Sequence, residues 1–175
     1  MDPELAKAIK ETVISDQLFA RIKSKAEEEY GKVESVHCPY FDEAVKFNAK
    51  GLDHIKFKGW GKSRNKKDLY ARLKFLPLVP RILKTTTTLQ GFLMTETLVR
   101  KKNFGSWGDV FNRVYFYEFI YVHKEKMRLK VIVRKDGDGE HYFYSVIPFW
   151  KMNADRKSTR LNSSHIQKSR MPSSA

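Results

Sequence analysis

Three cationic or titratable side chains alternate in one short run, Asp53-His54-Ile55-Lys56-Phe57-Lys58. Read as a strand, the run turns Ile55 and Phe57 to one side and places His54, Lys56 and Lys58 together on the other. Cutting RNA without a metal requires a base for the 2′-OH proton, an acid for the leaving oxygen and cations for the charge that builds at phosphorus. A histidine beside lysines on one surface supplies acid or base together with cation. The plainer alternative is a solvated strand face, the commoner fate of a His with Lys nearby.

Further candidates come from the rest of the chain. Lys130, Ile132 and Arg134 share a face by alternation. On the strand that follows, either His141, Phe143, Ser145 and Ile147 or Tyr142, Tyr144 and Val146 turn inward, and the pattern leaves both open because each set is partly apolar. If the tyrosines are inside, His141 and Ser145 are on the open face; otherwise they are a hairpin-end histidine and a satisfied hydroxyl. Arg64, Lys66, Lys67, Arg72 and Arg81 form a basic stretch interleaved with Trp60, Tyr70 and Phe75. Such a stretch fits phosphate contact with base stacking, or equally a charged helix face above core aromatics. Arg72, next to Leu73 and near Leu69, emerges from the edge of the apolar face.

Other chemistries lack their residues. Gly59-Trp60-Gly61 and the glycines at 137 and 139 do not make a phosphate loop, and no His-Glu-x-x-His element occurs. His37-Cys38 beside Asp42 is a poor metal set, because adjacent residues rarely converge on one ion. Asp53-His54 lacks a placed nucleophile.

The elements that must position these residues are legible in outline. Asp2-Pro3-Glu4 starts a helix, and Ser15-Asp16 caps a second, with Leu18, Phe19, Ile22 and Ala26 on one face and a stop at Gly31. Residues 32–36 and 44–47 read as short strands separated by Pro39. A basic helix begins near Asn65, with Leu69, Leu73 and Leu76 inward, and Pro77 ends or kinks it. Residues 85–89 and 92–99 have strand composition, and 101–108 reads as a loop. Residues 114–123, 129–134 and 141–147 make an antiparallel meander around the Asp136-Gly137-Asp138-Gly139 hairpin, with Pro148 as its end.

The formal charge is +14. Residues 155–175 are a reading of a common sequencing-library adapter, with residues 155–165 and 169–175 matching its two halves. Removing its five Lys/Arg and one acid leaves +10. That excess on one small domain points to a polyanionic partner. Cys38 is the sole cysteine, which excludes a disulfide framework and a multi-cysteine zinc site and suits a cytoplasmic compartment. No segment approaches the ~20 apolar residues of a membrane span.

The order of elements, with His54-Ile55-Lys56-Phe57, Lys130-Val131-Ile132-Val133-Arg134 and Ser145-Val146-Ile147-Pro148, resembles the phage-associated barnase/EndoU/colicin/RelE-like (BECR) nucleases over residues 51–150. The resemblance implies an α+β fold with N-terminal helices packed on a roughly four-stranded antiparallel sheet that ends in a β-meander. It implies a cofactor-free, metal-independent endoribonuclease, a toxin or mobile-element protein with RNA or the ribosome as target and a cognate inhibitor as further partner. Carried over by position, His54 is the acid or base, Lys56, Arg72 and Arg134 hold the phosphate, and Ser145 donates a hydrogen bond near it. Lys58, Trp60, Arg64, Lys66, Lys67, Arg81, Lys130 and His141 are the expected RNA contacts. The expected organisation is helices and lead-in strands over 1–50, a nuclease-like core over 51–154 truncated at its C-terminus, and a disordered, adapter-derived tail over 155–175. Two rival functions fit the same residues: a non-catalytic RNA- or ribosome-binding domain, and a protein-interaction module docking through the N-terminal helices.

Overall fold

The structure, a computed structural model, describes residues 14–58, 61–103, 105–123 and 127–149. The helix expected at Asp2, the side chain of Trp60 and the tail over 155–175 lie outside these residues. The order is α1 (Asp16–Gly31), β1 (Ser35–Cys38), β2 (Glu43–Lys46), α2 (Ala49–Lys56), α3 (Lys66–Phe75), a 3-10 turn (Leu76–Leu78), α4 (Val79–Thr85), β3 (Gly91–Asn103), β4 (Ser106–His123), β5 (Met127–Asp136) and β6 (His141–Phe149). The class is α+β. The sheet is wider than four antiparallel strands: among the described residues it has six, in the order β1-β2-β6-β5-β4-β3, with β2 parallel to β6. Its last four strands in sequence form an antiparallel meander.

Local chemistry explains the helix starts. Ser15 caps α1 by accepting from Leu18 N at 3.3 Å, and Asn65 caps α3 by accepting from Asp68 N at 2.7 Å. Pro77 tightens the chain into the 3-10 turn, and α4 restarts with Pro80 in its first turn. Among the described residues, no helix is long and apolar enough to cross a membrane.

The His54 segment departs from the expected strand. Asn48 accepts from Gly51 N at 3.2 Å and starts a helix, α2, that ends at Lys56. Gly51 and Ile55, four residues apart, are its buried face. Phe57, whose alternation with Ile55 suggests a strand, lies past the end of the helix, and the Asn48 cap decides the matter. Gly51 is essential to the packing, because a Cβ there would collide with the Phe143 carbonyl oxygen of β6.

One core lies between the helices and one face of the sheet. Ile55, Leu73 and Leu83 from the helices meet Phe119, Val131 and Phe143 from the strands. The short lead-in strands belong to this core too, through Val36, Cys38 and Val45.

Two further expectations are corrected. The loop expected at 101–108 is a continuation of β3 and β4, whose pairing runs to Asn103↔Ser106. Pro148 does not end β6 but lies within it, opposite Leu129. Among the described residues, β6 pairs on its outer side only at Tyr142, so Pro148 lies on an edge stretch of the sheet, where proline is tolerated.

Candidate functional site

A β-bulge builds the site. The β5–β6 register shifts between Ile132↔Ser145 and Val133↔Phe143, leaving Tyr144 as the extra residue. Neither alternating set on β6 is therefore right along its length. Phe143 and Val146 both join the core, Tyr142 and Tyr144 line the opposite, open face, and Ser145 turns under α3.

α2 packs against β6 and carries His54 to the open face, where its ring stacks on Tyr144 with centroids 3.8 Å apart. Arg134, on β5, lies 5.2 Å from the Tyr144 ring and 5.4 Å from Phe116 of β4. Asp136 accepts from Arg134 Nε at 2.7 Å and from the Tyr142 hydroxyl at 3.0 Å, and Lys50 Nζ stands 3.5 Å away. His54, Tyr144, Arg134, Asp136, Tyr142 and Lys50, with Asp53, Phe57, Lys58 and Gly61, surround an open cleft of about 560 Å³.

Behind His54 lies a second layer of charge. Arg64 donates from Nη2 to the His54 carbonyl at 2.8 Å and from Nε to the Ile55 carbonyl at 3.0 Å, so it clamps the C-terminus of α2. Asp68 accepts from Arg64 at 3.3 Å and from Arg72 Nε at 3.0 Å. Arg72 then donates to Ser145 Oγ at 2.7 Å and to the Val146 carbonyl at 3.3 Å. Arg64 and Arg72 are almost wholly buried, with side chains 7 and 9% exposed, while sharing one carboxylate. Around His54 the described residues thus set five cations (Lys50, Lys58, Arg64, Arg72, Arg134) against three carboxylates (Asp53, Asp68, Asp136).

This surrounding shapes the histidine. Burial first, then the positive charge of Arg64, Arg72 and Arg134, pulls the His54 pKa down to about 4. His54 Nε2 lies 3.5 Å from Arg64 Nη2, and a guanidinium has only donors, so this contact is met with Nε2 unprotonated. The resting site is a neutral imidazole on an aromatic plate, with unbalanced positive charge behind it. Such a place favours an anion.

The structure gathers His54, Arg72 and Arg134 from widely separated parts of the chain, with Arg72 behind the cleft and not in its lining. Arg64 joins them, and Lys58 lines the cleft. Other expected site residues lie elsewhere. Lys56 points back to α1 and pairs with Glu27 at 2.9 Å, because on a helix residues 54 and 56 face different ways. Ser145 is fully buried and accepts from Arg72, so it supports that arginine and does not reach the cleft. His141 lies on the core side, stacked on Phe41 at 4.0 Å and bonded to Glu43 at 2.9 Å. Lys66 pairs with Asp16 at 2.6 Å, Lys67 is exposed on α3, and Arg81 is exposed on α4. Lys130 shares the open sheet face with Arg134, as its alternation predicts, and pairs with Glu118 at 2.6 Å.

Phe116, Asp68 and Lys50 are not among the site residues expected from the sequence, Asp136 reads there only as a hairpin residue, and Tyr142 and Tyr144 only as one of two alternative inward sets. Asp68 did leave a trace: it stands four residues after Arg64 and four before Arg72, the spacing of stacked helical ion pairs. Among the described residues, no three His, Cys, Asp or Glu side chains converge to hold a metal ion.

The fold and site together define an α+β protein with a basic, aromatic-floored cleft on the open face of its sheet. No family model, curated protein or solved structure matches this chain.

Proposed function

We propose that the cleft binds RNA and cleaves it without a metal, as the resemblance to the phage-associated BECR nucleases implies. One observation carries the reading: His54 and Arg134 line one open, aromatic-floored cleft, and the charges of Arg64 and Arg72 bear on the histidine from behind. Arg134 holds the scissile phosphate, and Arg64 and Arg72 supply fixed positive charge behind it. A phosphate entering this cleft offsets the arginines and raises the His54 pKa toward the ordinary histidine value, so the base gains strength when substrate is present. His54 then takes the 2′-OH proton, the 2′-oxygen attacks phosphorus, and the bond to the 5′-oxygen breaks. The products are a 2′,3′-cyclic phosphate and a 5′-hydroxyl that takes its proton from solvent. The single free cysteine fits a reducing, cytoplasmic setting.

The test is incubation of the full chain with total RNA in excess chelator, beside His54→Ala. Cleavage that the variant lacks supports the proposal. Cleavage by both proteins removes His54 from the mechanism, and none on free RNA or translating ribosomes sinks the enzyme reading.

A second reading has its own support. A neutral imidazole stacked on Tyr144 is a flat platform for a base, which a non-catalytic RNA- or ribosome-binding domain also needs. In that case RNA is retained uncut, and Arg134→Ala weakens binding and lowers the salt slope by about 1.

A further inference from the structure

The β3–β4 hairpin runs past the rest of the sheet. β5 pairs with β4 only from Val114 to His123, whereas β4 stays paired with β3 as far as Asn103↔Ser106. From Glu96↔Arg113 outward the hairpin is a two-stranded ribbon, about 25 Å long at ~3.3 Å per residue. Two strands alone are marginally stable in water. This ribbon nevertheless exposes Leu98, Trp107 and Phe111 at 59, 61 and 72%. Strand alternation puts all three on one face, in line with the exposed Phe92 and Met94 nearer the sheet. Large apolar side chains grouped in this way mark an interaction surface.

The charges on that face decide the partner. Moving outward, its rows are Glu96 beside Arg113, Leu98 beside Phe111, Arg100 beside Asp109, and Lys102 beside Trp107. Consider a two-fold axis lying in the face and crossing the strands at the Leu98–Phe111 row. Leu98 and Phe111 then meet their own counterparts. Glu96 meets the second copy's Arg100, and Arg113 meets the second copy's Asp109. Four of the five charged positions find opposite charge, no like charges meet, and the fifth, Lys102, falls opposite the second copy's Met94. The bond from Arg113 to Glu96 within the chain is 3.4 Å long and solvent-exposed, a weak hold that is easily exchanged.

We propose that this chain forms a two-fold dimer through the helix-side face of its β3–β4 ribbon. The proposal does not rest on the catalytic reading. RNA is the poorer occupant on two counts. Glu96 and Asp109 put carboxylates in the rows a phosphate backbone would cross. The face also continues into Phe92 and Tyr117, whose rings are 5.3 Å apart and on the helix side of the sheet, opposite the His54 cleft. The ribbon footprint, on the order of 25 by 10 Å per copy from strand geometry, falls below the ~1,200 Å² total of a standard specific interface and fits a weak, transient one. The dimer should therefore dissociate in the micromolar range.

Sedimentation of the full chain across that range tests the idea, with two charge-reversed variants. Glu96→Arg with Asp109→Arg makes the four positions all basic. Arg100→Glu with Arg113→Glu makes them all acidic. Each variant alone should dissociate at concentrations at least roughly tenfold higher than the unaltered chain. An equimolar mixture should restore a mixed dimer, which also shows that both variants are folded. A chain that stays monomeric throughout the range overturns the proposal. So does a dimer that neither reversal weakens, or a pair of monomeric variants that mixing does not rescue. A monomer that loses RNA retention on Phe111→Ser overturns it in favour of a nucleic-acid arm.

Discussion

Two histidines sit on opposite faces of the sheet, and the contrast between them shows what makes a site. Each stacks on an aromatic ring, His54 on Tyr144 at 3.8 Å and His141 on Phe41 at 4.0 Å. Burial is the leading cause of a lowered pKa in both. They differ in the charge they face. His141 has a carboxylate already, Glu43 at 2.9 Å, and lies within the packed side of the molecule. His54 faces Arg64, Arg72 and Arg134, with no carboxylate among the described residues bonded to its ring, beside an open cleft. The first arrangement is complete as it stands. The second has surplus positive charge and room, so it is completed by an anionic ligand.

Substitutions can break or sharpen this contrast. The largest effect should come from His54→Ala, which lowers RNA cleavage by roughly 10²–10⁴-fold while the fold persists, read by cleavage rate beside circular dichroism. Arg72→Ala comes next and acts on stability: it leaves Ser145 buried without its donor and Asp68 with Arg64 alone, and should cost about 3 kcal/mol in urea unfolding. His141→Ala should cost about 1–2 kcal/mol for the lost stacking and hydrogen bond, with cleavage unchanged. Equal loss of cleavage in His54→Ala and His141→Ala would erase the distinction drawn between the two faces.

A pH series separates the faces further. The folded-state pKa of His54, about 4, lies below its ordinary value of 6.5. Between those values the unfolded chain binds a proton that the folded chain refuses, so stability present above pH 6.5 is lost as pH falls toward 4. With solvent screening this amounts to roughly 1 kcal/mol, and His54→Gln should remove it. Addition of an uncleavable 2′-deoxy oligonucleotide should move the His54 titration upward, measured by NMR, and leave that of His141 in place. The smallest effect belongs to Lys56→Ala, whose partner is Glu27 on α1. It should cost less than about 1 kcal/mol and leave cleavage unaltered.

Much of the fold was legible because it is written locally. Ser15 and Asn65 begin helices where capping chemistry requires it, and Gly137, with φ 58°, turns the hairpin between β5 and β6. Lys130 and Arg134 share a face because alternation holds along β5. The His54 run reads as a strand because Ile55 and Phe57 alternate, whereas Phe57 lies beyond the helix end and the helical pair of Ile55 is a glycine, Gly51, which carries no apolar side chain to mark the spacing. The faces of β6 stayed undecided because a bulge adds one residue without leaving a mark in the pattern.

The sequence by itself determined the α+β class, the excess of basic side chains, the caps, the meander and the types of residue available for chemistry. Each of these depends on a residue and its near neighbours. Only the tertiary structure decided which groups meet. The bulge at Tyr144 turned Ser145 under Arg72 and Tyr144 under His54. The bare α-carbon of Gly51 let α2 press against β6, and Asp68 tied two arginines behind the histidine. Those outcomes depend on steric fit and charge between segments far apart in the chain, and no local pattern encodes such contacts.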